Sequence, residues 1–189
     1  DVPLMAWFDL GGEWLPKARQ IHDQLARSMA RVETLPRGSV LTLADLEVGP
    51  PVPRPGKVIC VGLNYRDHAA ESNMAVPTSP VTFSKYVTSV IGEHKPIRLP
   101  AASSQVDYEA ELAIVIGRRA RHVPVGTAWD YVLGYTNLND VSARDLQFAD
   151  GQWQRGKSCD TFAPMGPAIV TDDAVGNPHE LRIRLRLNG

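Results

Sequence analysis

A row of alternating acids beside an apolar run is the feature that most constrains how this chain can fold. Residues 105–117 read QVDYEAELAIVIG, with Asp107, Glu109 and Glu111 at every second position. Because side chains alternate across a β-strand, an extended segment would place the acids on one face, with successive acids about 6.5–7 Å apart. The following LAIVI predicts that the strand then enters a core. Such a fold must relieve the repulsion between the carboxylates, by a proton or by a cation.

The rest of the chain predicts a mostly β protein of the α+β class. Short apolar segments are separated by 15 glycines and 15 prolines, as is typical of many short strands with few helices. The proline-rich GPPVPRPG at residues 49–56 suits neither a helix nor a central strand. We therefore predict a small N-terminal domain at residues 1–49 and a second domain at residues 50–189.

Further elements are predicted from local patterns. Apolar residues recur at helical spacing in residues 16–31, and shorter helices are expected near 41–46, at 67–71 and from 142 onward. Extended segments are expected at 4–10, 57–62, 81–85 and 168–171, and in the final LRIRLRLNG. Asn-Gly is a strong signal for a tight hairpin turn, so we expect the polypeptide to continue past Gly189.

Composition excludes several classes of protein. The 189 residues are 43% hydrophobic and 22% charged, with a net charge of −1, so we expect neither a nucleic-acid partner nor a membrane partner. No apolar run approaches the roughly 18 residues that a transmembrane helix needs. Cys60 and Cys159 are the only cysteines, which favours free thiols in a reducing compartment over a disulfide framework. We expect a cytoplasmic enzyme or binding protein.

The acids allow two interpretations from the residues alone. An isolated E-x-E in a strand is more often a solvated polar edge than a ligand pair. Asp140, in LNDVSARD, lies at a strand-to-helix transition, where it could cap the helix or join the glutamates as a third carboxylate. Three carboxylates would suit Mg²⁺, Mn²⁺ or Ca²⁺, which prefer oxygen ligands.

Two further groups of residues could carry chemistry. His68 and Glu71 are three residues apart on a predicted helix, so the carboxylate could hold one imidazole nitrogen while the other accepts a proton from water. Arg144, Gln147 and Lys157 follow Asp140 and could hold a substrate carboxylate or stabilise an enolate. Taken singly, each of these is more often a surface contact.

Together, these stretches resemble the fumarylacetoacetate hydrolase family, in particular its fumarylpyruvate and acylpyruvate hydrolase and 2-hydroxyhepta-2,4-diene-1,7-dioate isomerase branch. The matching motifs, in the family's order and spacing, are VGLNYRDHAAE, VTFSK, QVDYEAELAIVIGR, GYTNLNDVSARDLQ and KSCDTFAPMGP. The resemblance covers about residues 50–189. It implies a mixed β-roll of the family's C-terminal domain type, a small N-terminal domain and a homodimer.

The resemblance also implies a role for each candidate residue. The metal ligands, for Mg²⁺ or Mn²⁺ with Ca²⁺ as a further option, would be Glu109, Glu111 and Asp140. The water-activating pair would be His68 and Glu71, and the lysine that steadies an enolate would be Lys157. The substrate-contacting residues would be Arg144, Gln147 and Lys85. Asp107 matches the family pattern without being a usual ligand.

The implied reaction is metal-dependent hydrolysis of a C–C bond in a 2-oxo or 1,3-dicarbonyl acid, of acylpyruvate or fumarylpyruvate type, through a metal-bound enolate. The alternatives are an isomerase or decarboxylase of 2-hydroxymuconate or 2-hydroxyhepta-2,4-diene-1,7-dioate type intermediates, and a non-catalytic relative that binds a metal or a small acid. The chain departs from the family at Tyr86, where a proline is usual, and lacks the family's later glycine-threonine-proline and Gly-Asp segments. We therefore expect the second domain to be incomplete at its C-terminus.

Overall fold

The structure, a computed structural model, describes residues 14–30, 44, 46–71 and 73–189. In chain order, its helices and strands are α1 (Trp14–Ala30), β1 (Val58–Gly62), α2 (Arg66–Glu71), β2 (Val81–Lys85), β3 (Val90–Ile91), β4 (Val106–Asp107), β5 (Ala110–Ile116), β6 (Val132–Asn139), β7 (Ser142–Ala143), α3 (Arg144–Phe148), α4 (Gln154–Lys157), β8 (Ala163–Thr171) and α5 (Asp172–Val175). Single 3₁₀ segments cover Val87–Ser89, Val125–Tyr131 and Pro178–Glu180.

The strands form three sheets within the described residues. β1 and β2 pair antiparallel, and so do β4 and β7. The four-stranded sheet has the order β3-β8-β6-β5, with β3 and β8 parallel. Sheets therefore dominate a mixed α+β fold, which confirms the predicted class. None of the described helices has both the length and the apolar character that crossing a membrane requires.

The chain divides into two compact units. One comprises Gly49–Ala113, Thr136–Ile169 and Asn177–Gly189 and holds every candidate site residue. Its buried core has two clusters of apolar side chains, Leu138, Ala163 and Met165 in the first and Val141, Ala143 and Phe162 in the second. Val141 and Ala143 of the second cluster come directly after Asp140 in the chain. Their packing anchors the chain on the C-terminal side of this aspartate.

The other unit joins the described residues up to Val48 to Ile114–Tyr135 and Val170–Gly176. Polar contacts connect its pieces: Arg19 of α1 pairs with Asp173 at 2.6 Å, and the Tyr135 hydroxyl donates to Asp172 at 2.8 Å. The division into domains at residue 49 stays a prediction, because no comparison bears on it.

The prediction of a single strand over residues 105–117 is wrong. β4 ends at Asp107 and β5 begins at Ala110, so Tyr108 and Glu109 interrupt the predicted strand. The break has a backbone cause: the Asp140 N–H donates to the Glu109 carbonyl at 2.9 Å, and the Glu109 N–H donates to Asn139 Oδ1 at 3.1 Å. Glu109 is thus held by the last residue of β6 and by the residue that follows it.

The apolar half of the same segment is also less buried than predicted. Ile114 is 52% exposed and Ile116 is 55% exposed, so LAIVI in β5 is a half-buried strand and not core material. Alternation explains the pattern, because β5 turns only one of its faces inward.

Other local predictions have mixed outcomes. The structure confirms the helix at 16–31 as α1, the strands at 57–62 and 81–85, and the short helix at 67–71. The strand predicted at 168–171 is longer, as β8, and the helix predicted from 142 begins at Arg144 after the short strand β7. The predicted segment at 4–10 lies outside the described residues, and the one at 41–46 falls mostly outside them.

The prediction of a strand in LRIRLRLNG is wrong for the described structure. Residues 181–187 have no regular secondary structure, and a strand needs a pairing partner to be stable. Asn188 and Gly189 nevertheless have φ values of 54° and 90°. Both values lie in the left-handed region that the central residues of an Asn-Gly hairpin turn adopt.

Candidate active site

A small cavity of about 100 Å³ collects seven of the nine candidate residues. These are His68, Glu109, Glu111, Asp140, Arg144, Gln147 and Lys157. Lys85 does not line the cavity but contacts Asp140 from behind, and Glu71 is exposed and does not line it. A larger groove of about 690 Å³ includes only Glu111 from the candidate set. The small cavity is therefore the candidate active site.

Asp140 lies at the centre of the charged groups, and its carboxylate is buried. The Lys85 ammonium lies 2.6 Å from Oδ1 and the Lys157 ammonium lies 3.1 Å from Oδ2. Lys85 also donates to the Val141 carbonyl at 3.1 Å, which fixes its head group. Helix α3 has no side-chain cap, so the alternative interpretation of Asp140 as a helix cap is wrong. Two ammonium groups compensate one buried carboxylate, as burial of charge requires.

Glu109 is held by two further cationic contacts. Its Oε2 lies 2.8 Å from Lys157 Nζ, and its Oε1 lies 2.6 Å from an Arg144 terminal nitrogen. Although burial alone would raise the pKa of Glu109, the charges and hydrogen bonds of Lys157 and Arg144 hold that pKa below its usual value. Glu109 is therefore an anion in the neutral pH range.

Glu111 differs from its neighbour because it has no cationic partner at hydrogen-bonding distance among the described contacts. Burial raises the pKa of Glu111 to about 7, and the charges of Glu109 and Asp140 act in the same direction. A hydrogen bond from the Tyr65 hydroxyl opposes the rise. Three carboxylates thus crowd one cavity, and an added cation would favour their charged forms.

The chemical type of these donor groups suits a hard divalent cation. Glu109, Glu111 and Asp140 offer only carboxylate oxygens, the ligands that Mg²⁺ and Mn²⁺ prefer, and all three line the same cavity. In the described part of the chain, no group of three His, Cys, Asp or Glu side chains has the arrangement of a metal site. Oxygens of Glu109 and Asp140 are turned instead toward the ammonium group of Lys157.

Lys157 owes its position to close packing that the motifs did not reveal. It is 2% exposed, and its ammonium lies 5.0 Å from the centre of the Phe83 ring. Phe83 meets Trp153 edge to face at 5.6 Å, and the Trp153 ring covers Gly62 so closely that a Cβ on Gly62 would lie 2.6 Å from it. An aromatic wall therefore backs the lysine.

Gly156 sets the distance between the two short helices that carry the cations. A Cβ there would lie 2.6 Å from both the Ala143 carbonyl oxygen and the Gln147 nitrogen. Only glycine allows α4 to approach α3 this closely. A glycine directly before a candidate lysine was a signal that sequence reasoning could have used.

Arg144 and His68 complete the lining. The Arg144 guanidinium reaches from Asp107 to Glu109 and also donates to the Gln147 side-chain oxygen at 3.0 Å. His68 is half-buried on α2 and lines the cavity, whereas Glu71 at the end of that helix faces outward. The role of His68 and Glu71 as a water-activating pair stays a prediction.

The chain is similar to known proteins over most of its length. The model of the fumarylacetoacetate (FAA) hydrolase C-terminal region matches residues 57–189. The chain is 48% identical over 161 residues to a rat (Rattus norvegicus) protein named oxaloacetate tautomerase Fahd2a, mitochondrial. The matched region covers 85% of this chain and 50% of the rat protein. The chain spans about half the length of the curated relatives it matches.

Two solved structures are similar over most of the chain. The 2-hydroxyhepta-2,4-diene-1,7-dioate isomerase from Mycobacterium marinum is 49% identical with a TM-score of 0.63, covering 72% of this chain and 50% of that one. A fumarylacetoacetate hydrolase from Exiguobacterium antarcticum is 43% identical with a TM-score of 0.63, covering 75% of this chain and 52% of that one.

Proposed function

Because the chain belongs to the fumarylacetoacetate hydrolase family, we propose that it isomerises a small 2-oxo acid through an enolate. The reaction would be a keto–enol or double-bond shift. The observation that carries this proposal is the position of Lys157, a buried ammonium group at the inner wall of a cavity that also holds three carboxylates. A fixed cation in a buried site stabilises an oxyanion most where charge develops during the reaction.

Each residue has a task in this reaction. Arg144 and Gln147 would hold the substrate carboxylate, because a planar guanidinium matches a carboxylate in geometry. The Lys157 Nζ would donate a hydrogen bond to the enolate oxygen. His68 lines the cavity, and its imidazole would carry a proton to or from the neighbouring carbon.

A metal ion would strengthen the same charge distribution. The residues that would hold it are Glu109, Glu111 and Asp140. When bound, a divalent ion would polarise the carbonyl of the 2-oxo acid. Lys85 would continue to compensate Asp140 from the side facing away from the cavity, since it contacts Asp140 without lining the site.

Cavity size supports a small substrate. About 100 Å³ is well below the roughly 300–1,000 Å³ of clefts that hold drug-sized ligands. The substrate class proposed here is therefore a short 2-oxo acid or dicarboxylate, in keeping with the oxaloacetate and heptadiene-dioate named for the relatives.

One observation favours isomerisation over the hydrolysis that we predicted from the sequence. Hydrolysis requires a water activated by a base and its orienting carboxylate, the role predicted for His68 and Glu71. Glu71 is exposed and away from the cavity lining, whereas enolate formation requires only the groups that do line it.

The proposal is tested by product analysis. The purified protein with Mg²⁺ is incubated with oxaloacetate, a 2-hydroxy-2,4-dienedioate and a fumarylpyruvate, and products are followed by ultraviolet absorbance and proton NMR. We expect an isomer with the same atoms as its substrate. Cleavage of a substrate into two acids would contradict isomerisation and restore the hydrolase hypothesis, and no conversion of any substrate would refute both.

Variants connect the activity to the cavity. Lys157→Met should lower kcat by about 10²–10³, the usual cost of removing one group that stabilises an oxyanion. Lys57→Met is the matched control, because Lys57 is an exposed lysine in the same unit and does not line the cavity. An equal loss in both variants would remove Lys157 from the mechanism.

A further inference from the structure

We propose that Asp107 is a positioning residue that holds the Arg144 guanidinium in the orientation that binds a substrate carboxylate. The role of Arg144 toward a substrate rests on the proposed function, whereas the contact between the two side chains does not. Asp107 is not among the residues that line the cavity, but its side chain contacts Arg144, which does line it.

The guanidinium of Arg144 makes hydrogen bonds on two sides. Arg144 Nε and NH2 both donate to Asp107 Oδ2, at 3.1 and 2.8 Å. The remaining nitrogen, NH1, donates to Glu109 Oε1 at 2.6 Å and to Gln147 Oε1 at 3.0 Å. The outer side of the fork is thus bound by Asp107, and the inner side faces the groups of the cavity.

Asp107 is itself held firmly enough to act as a brace. It lies in β4 directly opposite Ser142 of β7, and Ser142 is fully buried. Its second oxygen, Oδ1, accepts the backbone N–H of Tyr108 at 2.9 Å, at the break between β4 and β5. One carboxylate therefore joins the backbone at the strand break to the guanidinium of Arg144.

The arrangement constrains where Arg144 can go. Arginine has a long flexible stem, and its binding specificity comes from a fixed planar fork. Without Asp107, Glu109 would be the only charged partner of the guanidinium among the residues that the structure describes, and it lines the cavity. The fork would then turn toward Glu109, and the Glu109 carboxylate would compete with an incoming substrate carboxylate for it.

Asparagine at position 107 tests this brace without changing the size of the side chain. Both groups facing Asp107, the Tyr108 N–H and the Arg144 fork, are donors. A carboxylate offers an acceptor to each, but an amide offers one oxygen and one NH₂ group. In Asp107→Asn one of the two donors must therefore face another donor.

The experiment measures the order of Arg144 and anion binding separately. In ¹⁵N NMR of the purified protein, the Arg144 Nε–H should exchange with solvent about tenfold faster in Asp107→Asn than in the wild type. The dissociation constant for oxalate with Mg²⁺, measured by calorimetry, should rise up to about fivefold, because the ion pair that orients the guanidinium is lost at a half-exposed carboxylate. KM should rise by the same factor, while kcat stays within about threefold.

Asp145→Asn is the matched control. Asp145 neighbours Arg144 on α3 and accepts hydrogen bonds from Ser103, Ser104 and Leu146, but it does not contact the guanidinium. It should leave Arg144 exchange and oxalate affinity unchanged even if stability falls. Asp107→Glu, which keeps the charge, should restore part of both readouts.

The outcomes separate the two proposals. Unchanged Arg144 exchange in Asp107→Asn, or an equal change in Asp145→Asn, overturns the positioning role whatever the catalytic result. Faster exchange with weaker oxalate binding supports it, even in a protein that converts none of the substrates. Absence of turnover counts against the proposed function alone.

Discussion

Replacing Gly156 by alanine should have two opposite effects on the free energy of unfolding. The added carbon would lie 2.6 Å from the Ala143 carbonyl oxygen, 2.6 Å from the Gln147 nitrogen and 2.8 Å from the Gln147 Cα. All three atoms belong to the backbone, so no side-chain rotation relieves the overlap. Alanine also favours helix over glycine by about 1 kcal/mol, which acts in the stabilising direction.

The steric effect should win. Overpacking a close contact typically costs about 1–3 kcal/mol, and here α4 must also move away from α3. That movement stretches the contacts of Lys157 with Glu109 and Asp140, now 2.8 and 3.1 Å. Complete loss of a buried charge partner costs about 3–5 kcal/mol, so even partial loss exceeds the gain from helix propensity. We expect the free energy of unfolding to fall by about 2 kcal/mol or more.

Urea unfolding followed by tryptophan fluorescence measures this change, and kcat for the preferred substrate shows whether Lys157 has moved. Gly56→Ala is the control, because nothing lies within 4 Å of a Cβ at that position in the same unit. Its stability should change by less than about 0.5 kcal/mol. If Gly156→Ala were as stable and as active as the wild type, the close approach of the helices would not be what positions Lys157.

Three further outcomes are expected. Asp140→Asn should lower the free energy of unfolding by about 3–5 kcal/mol in urea titrations, because Lys85 and Lys157 would both lose a buried partner; a change below about 1 kcal/mol would contradict the ion-pair network. Removing divalent ions with EDTA should abolish turnover and Mg²⁺ should restore it, whereas full activity in EDTA would rule out the metal. Burial and the hydrogen bond to Asp172 raise the pKa of Tyr135 to about 12, above its ordinary value of 10. The contribution of Tyr135 to stability should therefore be fully present below pH 10 and be lost between about pH 10 and 12, because the phenol of the unfolded chain ionises first. The free energy of unfolding of Tyr135→Phe should fall less over that range.

Local patterns in the sequence predicted the elements that depend on neighbours in the chain. Helix α1 follows from apolar spacing, and the strands β1 and β2 follow from short apolar runs. The same reasoning failed for residues 105–117, because the break after Asp107 is imposed by residues 139 and 140, which bond the backbone of Glu109. It failed again at residues 181–187, where an alternating pattern has no paired strand in the described structure.

The candidate site divides in the same way. Residue types and motif order identified seven candidate residues that line the cavity, but also Glu71 and Lys85, which do not line it. Their partners could not be predicted: Lys85 and Asp140 are 55 residues apart, and Asp107 binds Arg144 from 37 residues away. Phe83, Trp153 and Gly156 were missed because their contribution is close packing against other segments.

The sequence by itself determined the inventory of charged groups and the local elements that carry them. Tertiary structure alone decided how the acids are used: Asp140 lies buried between two lysines, Glu109 lines the cavity, and Asp107 does not line it but pairs with Arg144, which does. The physical reason is that the state of a carboxylate depends on its burial and on the cations beside it, and both are set by contacts between segments far apart in the chain.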